Sequence, residues 1–414
     1  MQTIQTIAST ATAARSHTDP GKSCAADSSS GNRIDSLTSL RFIAAAMIVV
    51  IHSVAIFNMD PSGQISKLPL SQGVSFFFVL SGFILTYVYG ELKGWKATLK
   101  FLSARIARVW PVFFVTEVVA YLIVSNCIIA KSPLGIATTV VSHFCMLHGW
   151  IPISMHYFAL NAPSWSISTE FFFYLAFPLL LLNLRRQWLT KVLLVAMLPL
   201  SLILICNLCG VAEHPAQGKV SSHGLMYINP LSRLFEFYCG MLVCLIVTKF
   251  GAANVNLQLP VQRTKLLFTF CEILAFVWIA VVIANTNQWL SLAKIDPHSA
   301  LGQYLLYSGN LLGYGALITA VAIRRGYASK ALSIPFFVFL GEVSYSVYLW
   351  HYPLILLYLK HSALLLTMPR TLRYGLFWTI LIAISSITFL WVEKPCRRIL
   401  RQLLERQVER ALPG

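Results

Sequence analysis

The sequence predicts an all-α polytopic membrane protein, a bundle of about ten transmembrane helices with both the N-terminus and the C-terminus cytoplasmic. Three observations carry that expectation. Of the 414 residues, 57% are hydrophobic and only 11% are charged, with a mean hydropathy of +0.69. Soluble domains carry roughly a quarter charged residues, so most of this surface must face lipid. Next, ten apolar stretches each reach across a hydrocarbon core of about 30 Å: 38–58, 73–90, 109–130, 165–184, 190–209, 230–248, 266–284, 303–323, 336–358 and 374–392. Finally, a cytoplasmic N-terminus places three quarters of the 32 Lys and Arg residues on inner segments. It leaves outside only Lys67, Lys131, Lys219, Arg233, Lys294, Lys360, Arg370 and Arg373. Such a bias is the positive-inside signature and requires an even number of spans.

The formal charge of +17 therefore reports topology, and no nucleic-acid partner is expected. The first partner is the lipid bilayer, with the chain integral and multi-pass in the cytoplasmic (inner) membrane. Residues 1–32, rich in Ser, Thr and Ala and lacking a signal-peptide core, read as a disordered cytoplasmic tail. Residues 33–395 form the membrane domain. Its longest outer loop, 131–164, has an apolar stretch of its own at 134–150 and reads as re-entrant or interfacial. Residues 396–414 alternate Arg397, Arg398, Arg401, Arg406 and Arg410 with Ile399, Leu400, Leu403, Leu404 and Val408, the pattern of a basic amphipathic helix on the inner membrane surface. The nine Cys residues, scattered through apolar segments, read as buried thiols rather than a disulfide framework.

Ionisable residues within hydrocarbon are costly, so each one marks a candidate site. In the first span Arg41 and His52 are eleven positions apart, which puts them on one helical face about 16 Å apart along the axis. Glu170, in Trp165-Ser166-Ile167-Ser168-Thr169-Glu170, and His52 come out at about 8 and 9 Å below the outer boundary. The expectation is that they meet, with the carboxylate orienting the imidazole. Ser81, Glu236 and His351 fall at similar depths. Ser81-Gly82 suits close helix packing as well as chemistry, His351 beside Pro353 reads as a support residue, and Arg233 with Glu236, at i,i+3, reads as a membrane-edge ion pair. Arg105 and Arg108 lie one turn apart, and Pro111 is expected to fix the start of the third span beside them. With Arg41 they form a cationic mouth suited to phosphate oxygens.

Other signals are weak. His143, His148 and His156 match no usual metal spacing and no flanking acid is near in sequence, so no metal is expected. Cys206 and Cys209, a lone C-x-x-C, read as packing. The sequence carries no phosphate-binding loop and no dinucleotide fingerprint.

These residues resemble the integral-membrane acyltransferase 3 family, from Arg33 to Arg398. The marks are Leu40-Arg41-Phe42-Ile43-Ala44-Ala45 leading to His52, Phe76-Phe77-Phe78-Val79-Leu80-Ser81-Gly82-Phe83, and Arg105-Ile106-Ala107-Arg108 before Pro111. Trp165 to Glu170, Gly341-Glu342-Val343-Ser344-Tyr345-Ser346 to His351, and Glu393-Lys394-Pro395 complete the set. The resemblance implies a ten-helix core that passes an acyl group, usually acetyl, from cytoplasmic acyl-CoA to an acceptor hydroxyl of a glycan or a related small molecule. It implies a requirement for Arg41 and His52 and a role for Arg105 and Arg108. Some family members carry an added extracytoplasmic domain; with about 20 residues after Pro395, this chain is expected to handle the acceptor in the membrane part or with a partner.

The expected site thus has His52 and Glu170 at the chemistry, Arg41, Arg105 and Arg108 on the acetyl-CoA phosphates, and Ser81, Trp165, Arg233, Glu236, Tyr345 and His351 as substrate or support residues. His52 acts either as a general base or as a transiently acylated nucleophile. A transporter or flippase of lipid-linked glycans is the rival, since charges near the midplane also line transport paths.

Overall fold

The structure is a computed structural model that describes residues 33–124, 133–216, 218–250, 260–362 and 367–411. The expected disordered tail at 1–32 lies outside them. The described residues hold fifteen α-helices and no strand. They are α1 (Asp35–Ser53), α2 (Gly73–Tyr89), α3 (Gly94–Val124), α4 (Pro133–Phe144), α5 (Ser154–Tyr157), α6 (Trp165–Leu181), α7 (Leu184–Leu208), α8 (Pro230–Phe250), α9 (Val261–Leu292), α10 (Ala300–Ser308), α11 (Leu311–Ala322), α12 (Tyr327–Leu332), α13 (Pro335–His361), α14 (Arg370–Thr388) and α15 (Lys394–Ala411). Nine helical stretches among the described residues are long and apolar enough to cross a membrane.

Nine of the ten expected spans coincide with those stretches. The remaining one, the ninth, 336–358, is present as α13, whose hydropathy is lowered by the polar residues Glu342, Ser344, Tyr345, Ser346, Tyr348, His351 and Tyr352, buried or partly buried in the bundle. The eighth is broken between α10 and α11 at Gly309-Asn310. The first ends at Ser53, five residues earlier than expected. The third is not started by Pro111, which lies inside α3; that helix begins at Gly94 and carries Arg105 and Arg108 in its middle. The basic tail is helical as α15 and follows α14 through a π turn, with Lys100 of α3 paired at 2.9 Å to Glu409.

Helices at the centre differ from those at the rim. In the α2 stretch 67% of residues are buried, against 22% in α7 and 28% in α9. Leu193, Leu194, Met197, Leu200 and Leu204 of α7 and Phe270, Leu274, Val277 and Trp278 of α9 lie exposed. So large an apolar surface marks contact with lipid. At the centre small residues let backbones touch. A Cβ on Gly82 of α2 would meet the Phe237 carbonyl at 1.9 Å, and one on Gly240 of α8 would meet the Val79 carbonyl at 1.8 Å. Two buried carboxylates in the spans have structural partners: Glu272 of α9 accepts from the Ala328 and Ser329 amides that open α12, and Glu117 of α3 pairs with His143 of α4. The latter pair folds the outer segment back onto α3. The described cysteines are free thiols; Cys206 and Cys244 are buried, while Cys145, Cys209 and Cys271 are exposed rather than buried as expected.

Candidate active site

His52 occupies the last turn of α1. Its Nδ1 lies 2.9 Å from Nε2 of His351 on α13, with the rings within 3° of parallel. Nδ1 of His351 is 2.5 Å from the Tyr348 carbonyl oxygen. A carbonyl only accepts, so this Nδ1 carries the proton and, in the neutral ring, Nε2 is the acceptor. His52 then donates from Nδ1, and its Nε2 holds the free lone pair. His351 is fully buried, whereas His52 keeps partial exposure.

Glu170 is not the partner of His52. Its Oε1 accepts from Ser81 Oγ at 2.9 Å and from Tyr174 Oη at 2.7 Å, and it lies within electrostatic reach of Arg41. The depth count failed because it assumed that α1 continued to residue 58. The helix stops just beyond His52, so the imidazole sits at the helix end, while Glu170 lies one and a half turns into α6.

Arg41, Arg105 and Arg108 do converge. Arg41 and Arg108 are within electrostatic reach of each other and of Glu393, and Arg397 adds a fourth cation close to Arg105 and Arg108. Arg105 donates to Tyr89 Oη at 2.9 Å and leaves Nε buried without a partner. All three guanidinium groups are half-buried, and those of Arg41 and Arg108 make no hydrogen bond or ion pair among the described residues. Tyr345 locks α13 to α3 through Oη and the Val109 carbonyl, 2.8 Å. Sequence reasoning missed Arg397, read only as a tail cation, and Tyr174, which the i,i+4 spacing from Glu170 indicates.

Arg233 and Glu236 form the expected i,i+3 ion pair, but inside the bundle rather than on its surface. The pair, 3.0 Å apart, is fully buried. Arg233 also donates to Ser75 at 2.7 Å and Ser308 at 2.9 Å, which joins α8, α2 and α10. Trp165 is buried, ring centroids 4.6 Å from Tyr227 and 6.4 Å from Phe78; among the described residues it makes no ring contact with His52. The outer histidines do have an acid, supplied by α3: His143 Nδ1 is 3.1 Å from Glu117 Oε2 and its Nε2 2.8 Å from the His156 carbonyl. Glu117 and Glu272, both inside expected spans, satisfy the same criterion of cost in lipid that singled out Glu170. No group of three potential metal ligands occurs among the described residues.

A family profile described as an acyltransferase domain matches residues 34–392. Among curated proteins, the chain is 25% identical to acyltransferase MdmB of Streptomyces mycarofaciens, covering 89% of this chain and 92% of that one. It is 24% identical to the putative peptidoglycan O-acetyltransferase YrhL of Bacillus subtilis and 24% identical to the peptidoglycan O-acetyltransferase OatA of Listeria monocytogenes. In both comparisons 88% of this chain is covered, but the match spans only 55% and 56% of the relatives, so the chain accounts for about half their length. No solved structure matches. With the profile covering nearly all of the membrane bundle, the chain belongs to the acyltransferase 3 family of membrane O-acyltransferases.

Proposed function

We propose that this enzyme moves an acetyl group from cytoplasmic acetyl-CoA to a hydroxyl of a glycan, from a ten-span bundle in the inner membrane with both termini cytoplasmic. The observation that carries the reading is the free Nε2 of His52, set by the chain His52 Nδ1–H to His351 Nε2 and His351 Nδ1–H to the Tyr348 carbonyl. Donor phosphates dock on Arg41, Arg105 and Arg108, whose half-buried guanidinium groups supply fork-shaped donors, and Arg397 widens the mouth. The pantetheine arm bridges the roughly 16 Å of α1 from Arg41 to His52.

His52 Nε2 takes the acceptor hydroxyl proton as that oxygen attacks the thioester carbonyl carbon, forming the C–O bond. On collapse the C–S bond breaks and the proton passes from Nε2 to the sulfur, leaving ester and thiol. The transient imidazolium lies at the carbonyl end of α1, where the helix dipole favours positive charge. Glu170, held by Ser81 and Tyr174, balances the Arg cluster rather than the base.

The two peptidoglycan O-acetyltransferases among the relatives support a glycan acceptor. The second reading, which the family resemblance leaves open, is a macrolide-type small-molecule acceptor; the chain matches the Streptomyces acyltransferase over almost its whole length, unlike the two peptidoglycan enzymes. Transport of lipid-linked glycans loses to family membership. Mass spectrometry of surface glycans from cells carrying the wild type, His52→Ala or no gene tests the proposal. Acetylation is expected to fall by about 10²-fold or more in His52→Ala. An unchanged glycan pattern without the gene favours the second reading, and full transfer by His52→Ala overturns the mechanism.

A further inference from the structure

A second cationic feature lies away from the mouth. A cleft of about 260 Å³ opens where α9 begins and the turn between α11 and α12 passes, lined by Lys265, Arg324, Arg325 and Lys330 together with Ser329 and Ser333. The Glu272 carboxylate lies beneath Gly326 and is engaged by the Ala328 and Ser329 amides. The cleft therefore gathers four cationic side chains, with no carboxylate among the residues that line it. The opening of α12 is capped, so the anion-attracting groups are side chains.

Its position separates it from the donor mouth. The segment running into α12 and α13 packs on the α1 face that carries Ser39, whose Oγ donates to the Leu332 carbonyl. Arg41 is two residues on, about 200° around the helix, so it points the opposite way. Acyl-CoA held by Arg41, Arg105 and Arg108 does not need this cleft. What adjoins it is greasy: Leu266, Leu267 and Phe270 of α9, together with Ile334, Phe336 and Phe337 at the start of α13, all lie exposed. Cations at the foot of two lipid-facing helices match an amphiphile with an anionic head and apolar tails.

We propose that this cleft binds the phosphodiester headgroup of an anionic phospholipid, whose acyl chains lie along the exposed faces of α9 and α13. The proposal needs the bundle to sit in a membrane but is independent of the acyl-transfer mechanism. Lys265 and Lys330 act as mobile point charges, and Arg324 presents a planar fork to two phosphate oxygens.

The test is native mass spectrometry of the full-length protein released from vesicles of phosphatidylcholine with one fifth phosphatidylglycerol. Retention of phosphatidylglycerol over phosphatidylcholine is expected for the wild type. The variant Lys265→Gln/Arg324→Gln/Lys330→Gln is expected to lose that preference by about tenfold or more, since each surface cation contributes about fivefold. The control Arg185→Gln/Arg186→Gln, altering two cations at the foot of α7, is expected to keep it. Should the triple variant fold poorly, Arg324→Gln alone is expected to show a severalfold loss. Equal loss in the control would mean that any inner cation serves, and would overturn the proposal. So would displacement of phosphatidylglycerol by millimolar inorganic phosphate, which would make the cleft a site for free anions, or retention of the preference by both cleft variants.

Discussion

Among the described residues, two pairs of histidines have nearly parallel rings, and they end differently. His143 and His148 stack with ring centroids 3.9 Å apart. Both are fully buried, and His143 is closed by the Glu117 carboxylate on one nitrogen and the His156 carbonyl on the other. His52 and His351 lie edge to edge in nearly one plane, ring centroids 5.2 Å apart and joined by the 2.9 Å contact between Nδ1 and Nε2. There the buried ring is closed by a carbonyl while the half-buried ring keeps one nitrogen unengaged. Because Nε2 of His143 faces an acceptor, it must carry a proton, and one further proton lies between Nδ1 and Glu117. The His143 ring has no vacant lone pair to offer and works as a latch holding α4 on α3, while His148, bonded through Nε2 to Ser164 Oγ at 3.2 Å, keeps an unpartnered Nδ1 that is sealed in the interior. On the proposed mechanism, the same residue type becomes a reagent only where one nitrogen is both free and reachable.

The sharpest way to break this comparison is to disturb the open pair. His351→Phe removes the acceptor that fixes the His52 tautomer. Its kcat is expected to fall by about 10²-fold or more, with KM for acyl-CoA little changed, because the cations at the mouth are untouched. His351→Gln, whose amide oxygen can accept from Nδ1–H, is expected to recover part of the loss. His148→Asn, in the closed pair, is expected to leave kcat per folded molecule at the wild-type level. Steady-state kinetics on folded fractions decides it: equal losses in both pairs would erase the distinction.

Disturbing the closed pair should act on stability instead. Glu117→Ala leaves His143 Nδ1 in the interior without its partner, and breaking a buried pair in this way costs about 3 to 5 kcal/mol. A denaturant titration in detergent is expected to show that loss, with the surviving folded protein turning over normally.

How much of this was legible in the sequence follows the same division. Composition and span lengths gave the helical bundle, because each reports on lipid contact residue by residue. The cationic mouth was legible because Arg105 and Arg108 share a helix, and a single helix has fixed geometry. Partnerships across helices were not. Whether His52 meets Glu170 or His351 depends on the residue at which α1 stops and on how α13 is rotated. Counting 1.5 Å per residue from an assumed boundary propagated that boundary's error into the depth. Pro111 misled for a related reason: a proline suits a helix start, yet packing carried α3 seventeen residues upstream of it.

The outer segment also predicts a pH response. Burial, reinforced by the charge on His143, holds the His148 imidazole well below its ordinary range, and burial lowers His156 in the same sense. In the unfolded chain both take up a proton near pH 6.5. The unfolded state thus binds more protons than the folded one as pH falls below that value, and stability must decline. Melting temperature is expected to drop between pH 7 and pH 5, and His148→Asn is expected to flatten the slope. A slope unchanged in the variant would remove His148 from the account.

The smallest expected effect comes from a histidine that is neither stacked nor buried. His298, 78% exposed, lies 2.6 Å through Nδ1 from Glu213 Oε2, and the hydrogen bond to Glu213, with that residue's charge, raises its affinity for a proton. The sign is opposite to that of His148. Its contribution is complete below the unfolded value near 6.5 and is lost as pH rises through the elevated folded value. Exposure screens the pair, so any change in melting temperature on His298→Gln should be small beside that of Glu117→Ala. The titration itself is the better readout. An NMR midpoint for His298 above the ordinary value, returning to it in Glu213→Gln, is the expected result. A wild-type midpoint at or below 6.5 would mean that the carboxylate does not hold the ring in solution.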